Sequence, residues 1–284
     1  MSISFKPLTV EHDISKEEFQ RKYMEPSRPV VLRNLSKKWD AREKWNWEYL
    51  KNRVGDMTVP LYDGSKVDAS KKVNEPASHM AFSEYLDLIQ REPTDLRIFL
   101  FNIFQYVPDL CADFGSPELM DGFLDKYPMM FFGGAGSSVF IHFDIDMSHV
   151  FHTQFQGRKK ALLFTPDSSK KLYHVPLSVH NIEDIDMENP DFDKYPALKG
   201  LNGLEATLLP GDTLYMPPGW WHFMKYLDGG FGLSQRAFDP SYLCRLHGLF
   251  NLTVVRHTDN LGRKLFGPKW IKFKENLAMR RSIA

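Results

Sequence analysis

The sequence predicts a mainly β fold, a double-sheet jelly roll with α-helical decorations, on three observations. From about Phe131 onward, short strand-like runs follow one another closely. They are separated by turn signals at Gln156-Gly157, Pro210-Gly211-Asp212, Pro218-Gly219 and Asp228-Gly229-Gly230, a rhythm that favours two packed antiparallel sheets. Third, His142 and Asp144 stand two apart, so on a strand their side chains face one way, while His222 of Trp220-Trp221-His222 arrives from a distant strand. Residues from several strands converging on one centre suit the inside of a small β-barrel.

Taken in order, the elements begin with Ser15-Lys16-Glu17-Glu18, which can cap a helix carrying Phe19 and Tyr23 and ending before Pro26. Pro29-Val30-Val31-Leu32 reads as a strand, and Trp45 to Val54 as a helix with Trp45, Tyr49 and Leu50 on one side. Val59-Pro60-Leu61-Tyr62 reads as an edge strand entering the Asp63-Gly64 turn, because proline brings no N–H to a central ladder. Ser65 to Ser78 is polar and loop-like, Phe82 to Gln90 helical, and Leu96 to Phe104 a strand with two apolar faces. The core strands are expected at 138–144, 148–156, 160–164, 204–208, 212–216, 222–226 and 231–238.

Three regions follow: an N-terminal α/β decoration over 1–94, a jelly-roll catalytic core over 95–240, and a C-terminal helical element over 241–284. The core is interrupted over 165–203 by a polar stretch rich in Asp, Asn and Pro. Its length is more than a connection needs, so it is either a substrate-facing lid or packed irregular structure. In the tail, Tyr242, Leu243, Leu246, Leu249 and Phe250 recur at helical spacing, a stripe that packs on the barrel or pairs with a second subunit.

A chain of 284 residues can bury a substantial core, and one catalytic domain with additions fits that length. The formal charge is +0, so no global field draws nucleic acid or an anionic membrane. The tail departs from this balance, with nine Lys or Arg against two acids over 241–284. Without a recognised binding motif, a solvated basic face explains it as well as nucleic acid does. Cys111 and Cys244 form no metal-like pair or disulfide framework and read as reduced thiols of a cytoplasmic protein. The first residues lack the apolar run of a signal peptide, and no uncharged segment has transmembrane length, so no membrane role is expected.

His142, Asp144 and His222 carry the chemistry. Two imidazoles and one carboxylate make the facial triad of a non-haem Fe(II) site, leaving the opposite face open. Alone, His142 could be a packed histidine and Asp144 a turn or salt-bridge residue; their order in the chain with His222 is what points to metal. Asp146, His149 and His152 lie close by and are candidates for supporting the ligands, or ordinary partly buried strand residues.

The pattern His142-Phe143-Asp144, Gly157-Arg158-Lys159, Leu163-Phe164-Thr165-Pro166, Pro210-Gly211-Asp212 through Pro217, and Trp220-Trp221-His222 resembles the JmjC or cupin-like dioxygenases. Within them it is most similar to asparaginyl hydroxylases of the factor-inhibiting-HIF type, most strongly over roughly 95–238. The resemblance implies a cupin-like double-stranded β-helix in which His142, Asp144 and His222 bind Fe(II) and Lys159 holds the distal carboxylate of 2-oxoglutarate. O2 would be the cosubstrate, succinate and CO2 the co-products, and hydroxylation the reaction. Lysine suits the carboxylate role, because a buried anion needs a compact cation.

The chain departs from that pattern at Phe99 and Val139, where the similar enzymes carry hydroxyls that help bind 2-oxoglutarate, and at Arg236, where they carry asparagine. Two residues are also added between Asp144 and Gly157. Ser138, Ser148, Ser234 and Arg236 are the candidates to compensate. A protein side chain is the expected substrate, with asparagine, aspartate, histidine, arginine and lysine all open. A tRNA base is a second reading, and a non-catalytic metal-binding cupin or protein-interaction module a third. By the same resemblance, the C-terminal helices are a homodimer interface.

Overall fold

The structure, a computed structural model, describes residues 2–63, 75–99 and 101–283. The loop expected over Ser65–Ser78 lies largely outside them. The N-terminal third supplies β1 (Ser4–Pro7), β2 (Val10–His12), β3 (Val30–Arg33), β4 (Thr58–Asp63), β5 (Ser78–Ala81) and β6 (Leu96–Ile98). There follow β7 (Met129–Gly133), β8 (Ser138–His142), β9 (His149–Gln156), β10 (Lys159–Phe164), β11 (Asn202–Leu208), β12 (Thr213–Met216), β13 (Trp221–Tyr226) and β14 (Gly230–Ala237).

Strands β7 to β14 divide between two facing sheets, β8-β13-β10-β11 and β7-β14-β9-β12, which is the expected jelly roll. The N-terminal strands extend both. β1 runs parallel to β11 at the edge of the first sheet, while β3 with β2, and β6 with β4 and β5, lengthen the second at its two ends. The strands β1 to β5 of the N-terminal stretch thus share sheets with the core.

Several expected elements differ. Trp45 ends a short helix, α2 (Ala41–Lys44), and a new one, α3 (Trp47–Val54), starts where the Asn46 side chain accepts the Tyr49 N–H at 2.9 Å. That cap resets the boundary between two residues expected on one helix. β4 is second from the edge, not at it. Proline is tolerated there because β6 pairs only with Tyr62 and Asp63, beyond Pro60. The strand expected to run to Phe104 stops at Ile98, and Asn102 caps a short 3-10 turn over Ile103–Gln105, accepting from the Phe104 N–H at 3.1 Å. The strands β1 and β2 escape the sequence pattern because they are short and pair in parallel with partners remote in the chain.

Both sheets are covered on their outer faces, which explains why their strands read as nearly continuous apolar runs. The helix α1 (Lys16–Phe19), capped by Ser15 and continued by a π turn, packs Phe19 on Phe151 and Tyr215. Helices α3 and α4 (Phe82–Arg91) pack Leu50, Tyr85 and Leu86 against Phe132 and Phe231. The outer face of the five-stranded sheet, with Phe164, Trp221 and Phe223, is covered by the polar stretch 165–203. Leu172, Tyr173, Tyr195 and Leu198 of that stretch are buried against it, so the stretch is packed irregular structure.

The tail forms α5 (Tyr242–Phe250), a π turn, α6 (Arg256–Phe266) and α7 (Pro268–Ile283). Asp259 ties α6 to α7 by accepting from Arg263 at 2.9 Å, Trp270 at 2.8 Å and Lys274 at 2.5 Å. Part of the tail's positive charge is therefore spent internally. Ala278 of α7 joins the core beneath 165–203, whereas Tyr242, Leu243, Leu246, Leu249 and Phe250 of α5 are exposed.

Candidate metal centre

β13 and β8 run antiparallel with His222 registered opposite His142. A bulge between them lets Val139 and His142 both face the interior with Met224 and His222. The two imidazole centroids stand 4.2 Å apart, and Asp144, two residues beyond His142, lies just past the end of β8. Ligand atoms of His142, Asp144 and His222 all lie within 4.8 Å of one another.

The tautomers follow from the partners. His142 Nδ1 is 2.9 Å from the Phe140 carbonyl and His222 Nδ1 is 3.1 Å from the Trp220 carbonyl. A carbonyl only accepts, so each Nδ1 carries the proton and each Nε2 is left with a lone pair, as a metal requires. Burial, and then the neighbouring His222, push the His142 pKa down, so its ring is neutral.

Asp144 is oriented by Arg236, a contact that sequence reasoning missed. The guanidinium donates from Nη2 to Asp144 Oδ1 at 2.7 Å and from Nη1 to Asp146 Oδ2 at 2.8 Å. Burial alone would raise the Asp144 pKa; the Arg236 guanidinium outweighs it and keeps the carboxylate ionised. One oxygen is thus held by protein and the other is available. The loop bearing Asp144 and Asp146 is itself backed by α5. Asn251 donates to the Ile145 carbonyl at 3.2 Å, and Gly248 rests on the Asp146 carbonyl oxygen, where any Cβ would collide.

Lys159 sits on the same interior face. The register of β10 with β13 sets Lys159 opposite Tyr226 and Leu163 opposite His222, so a period of two turns Lys159, Ala161 and Leu163 inward and Lys160 outward. The Lys159 side chain is 2% exposed, with Nζ 2.9 Å from His152 Nε2 and 4.0 Å from the centroid of the Tyr226 ring. Burial pulls its pKa down to about 7. Among the described residues no carboxylate is hydrogen-bonded to it, and the buried Tyr226 Oη and Ser148 Oγ have no partner. A cation and two polar atoms left unsatisfied inside a barrel suit a small anionic ligand.

The remaining candidates separate. Ser234 reaches the pocket through His152, whose Nδ1 lies 2.8 Å from Ser234 Oγ. Ser148 shares the inward parity of Val150 and His152, whereas Ser138 is registered opposite Lys225, on the face turned away from His222. His149 also points outward, to Tyr215 Oη at 2.8 Å and Asp239 at 2.9 Å, so it does not support the ligands. Phe99 packs on Tyr62 and beneath the buried Arg97 guanidinium. Alternating inward parity along β9 was the signal that could have singled out His152 over His149.

A jelly roll with two imidazoles and a carboxylate converging inside it defines a metal-site barrel. Residues 16–236 match the family model described as a Cupin-like domain. The chain belongs to that family, within the JmjC 2-oxoglutarate oxygenase superfamily, whose members use Fe(II) and 2-oxoglutarate. It is 29% identical over 229 residues to lysine-specific demethylase 8 of Xenopus tropicalis, covering 78% of this chain and 51% of that protein. It is 30% identical over 244 residues to JmjC domain-containing protein D of Dictyostelium discoideum, covering 77% and 53%. It is 26% identical over 254 residues to tRNA wybutosine-synthesizing protein 5 of Danio rerio, covering 78% and 72%. The chain thus spans about half the length of the first two relatives. Among the described residues no helix is long and apolar enough to cross a membrane.

Proposed function

We propose that the protein is an Fe(II)- and 2-oxoglutarate-dependent dioxygenase that hydroxylates a protein side chain. The observation that carries this reading is the approach of His142, Asp144 and His222 to within 4.8 Å, with both Nε2 atoms left free by Nδ1–carbonyl bonds. In this reading the three residues hold the iron, Lys159 pairs with the distal carboxylate of 2-oxoglutarate, Ser148 is a further candidate for cosubstrate contact, and Ser234 acts through His152. When bound, Fe(II), 2-oxoglutarate and O2 supply the oxidising chemistry of hydroxylation. The protein's own part is to fix the imidazole tautomers, orient Asp144 through Arg236, and keep a dry cationic end for the cosubstrate.

A protein substrate draws support from the relatives named lysine-specific demethylases. The asparaginyl-hydroxylase subtype has less behind it, since Phe99 and Val139 bear no hydroxyl and Arg236 is engaged by two aspartates. A tRNA-base substrate is the second reading, supported by the relative named for wybutosine synthesis and by the basic tail. RNA binding that weakens steeply with salt would favour it. The exposed stripe on α5 supports homodimerisation through the C-terminal helices, and two free cysteines accord with a cytoplasmic setting.

Anaerobic titration of the Fe(II)-loaded protein with 2-oxoglutarate, followed by visible absorption, tests the assignment. A saturable metal-to-ligand charge-transfer band, absent from His142→Ala, is expected. Iron retained without that band at high cosubstrate would reject the assignment in favour of a non-catalytic or alternative-metal cupin.

A further inference from the structure

We propose that His152 is a positioning residue that aims the Lys159 ammonium at the distal carboxylate of the cosubstrate, with Ser234 holding the imidazole ring in the orientation this requires. The proposal rests on the reading of Lys159 given above and adds to it a residue outside the metal triad.

A lysine ammonium has three hydrogens and no lone pair. Lys159 Nζ lies 2.9 Å from His152 Nε2, so with the lysine charged, Nε2 must accept. The imidazole proton then sits on Nδ1 and donates to Ser234 Oγ at 2.8 Å. β9 and β14 register His152 opposite Ser234, which makes this second contact a consequence of sheet pairing.

With one hydrogen spent on His152, the ammonium keeps two. It lies 4.0 Å from the Tyr226 ring centroid, a face that attracts a cation without fixing its N–H directions. Directional control therefore comes from His152. A carboxylate, with two oxygens and several lone pairs, can take both remaining N–H groups. The titratable groups facing Lys159 are His152 from β9 and Tyr226 from β13, and its registered neighbour on β11 is Leu208. Burial, and then the charge on Lys159, keep His152 well below the ordinary histidine range, so it stays an acceptor near neutral pH. Burial likewise raises the Tyr226 pKa, so its hydroxyl remains protonated.

The test is calorimetric titration of Mn(II)-loaded protein with 2-oxoglutarate, across pH, for the wild type, His152→Phe and His152→Gln. His152→Phe keeps a flat ring but loses the acceptor, and is expected to weaken cosubstrate binding about tenfold or more. The pH at which binding falls away should also move down, because the ammonium has lost a partner. His152→Gln, whose amide oxygen can accept from Nζ, is expected to stay within about threefold of wild type. Mn(II) affinity measured without cosubstrate should not change in either variant.

Wild-type binding with His152→Phe equally tight and an unshifted pH profile would overturn the proposal. If His152→Phe does not fold, Ser234→Ala serves. Its imidazole loses the Nδ1 partner that fixes the ring's orientation, and an affinity loss of about threefold or more is expected, with unchanged affinity overturning the proposal. Failure of the underlying reading looks different: the wild type would not bind 2-oxoglutarate, or Lys159→Met would bind it as well as wild type. Either result removes the proposal along with that reading.

Discussion

Lys159 destabilises the protein that contains it, and Lys159→Met exposes the cost. Burial moves its pKa from an ordinary 10.5 to about 7. At about 1.4 kcal/mol per pH unit, that displacement is worth about 5 kcal/mol. In the unfolded chain the amine takes up its proton as pH falls through 10.5, whereas in the folded protein it does so only near 7. The unfolded state binds more protons throughout that window, so this residue's contribution to stability rises with pH between the two values and its penalty is complete below the lower one. Methionine retains much of the apolar stem and removes the charge. Near pH 7 the metal-free variant should gain several kcal/mol, less about 1–3 kcal/mol for leaving His152 without its partner. Urea unfolding of both proteins from about pH 7 to pH 10 provides the assay, since the lost hydrogen bond offsets the curves without bending them. Their difference should shrink by about 1.4 kcal/mol per pH unit as pH rises. A difference that stays flat over this range would refute the claim of a buried amine with a depressed pKa.

Three further outcomes are expected. Arg236→Gln frees Asp144 from its guanidinium and should weaken Mn(II) binding about tenfold to a hundredfold, as measured by calorimetry; unchanged or tighter binding by the folded variant would remove Arg236 from an orienting role. Gly248→Ala raises helix propensity yet sets a methyl against the Asp146 carbonyl, so it should lower stability by about 1–3 kcal/mol in urea unfolding; a stabilised variant would mean α5 does not seat on that loop. Leu246→Asp, on the exposed stripe of α5, should yield a monomer by analytical ultracentrifugation where wild type is a dimer, and monomeric wild type would dismiss the interface.

The jelly roll was legible in the sequence because its signals are local. Seven of the eight core strands announce themselves as runs of β-prone residues, most of them set off by Gly or Pro turns, and Gly157, Gly211 and Gly219 hold the positive φ those turns demand; β7, Met129–Gly133, was not among the expected strands. The spacing of His142 and Asp144 and the late His222 were visible for the same reason, as was a lysine of the right kind in the 158–160 run. Which lysine faces inward is a parity question, and parity is set only when β10 takes its register on β13. The same dependence on register separates His152 from His149 and Ser234 from Ser138, pairs that composition and spacing leave equivalent.

What the sequence determined by itself was the period of the strands, their turns and the order of the ligand set. Tertiary structure alone decided which groups meet across long separations: Arg236 with Asp144, Gly248 with Asp146, Ala278 beneath the stretch 165–203, and β1 beside β11. Those contacts leave no local trace, because a guanidinium, a missing side chain or a short parallel strand gains its meaning from a partner tens to hundreds of residues away.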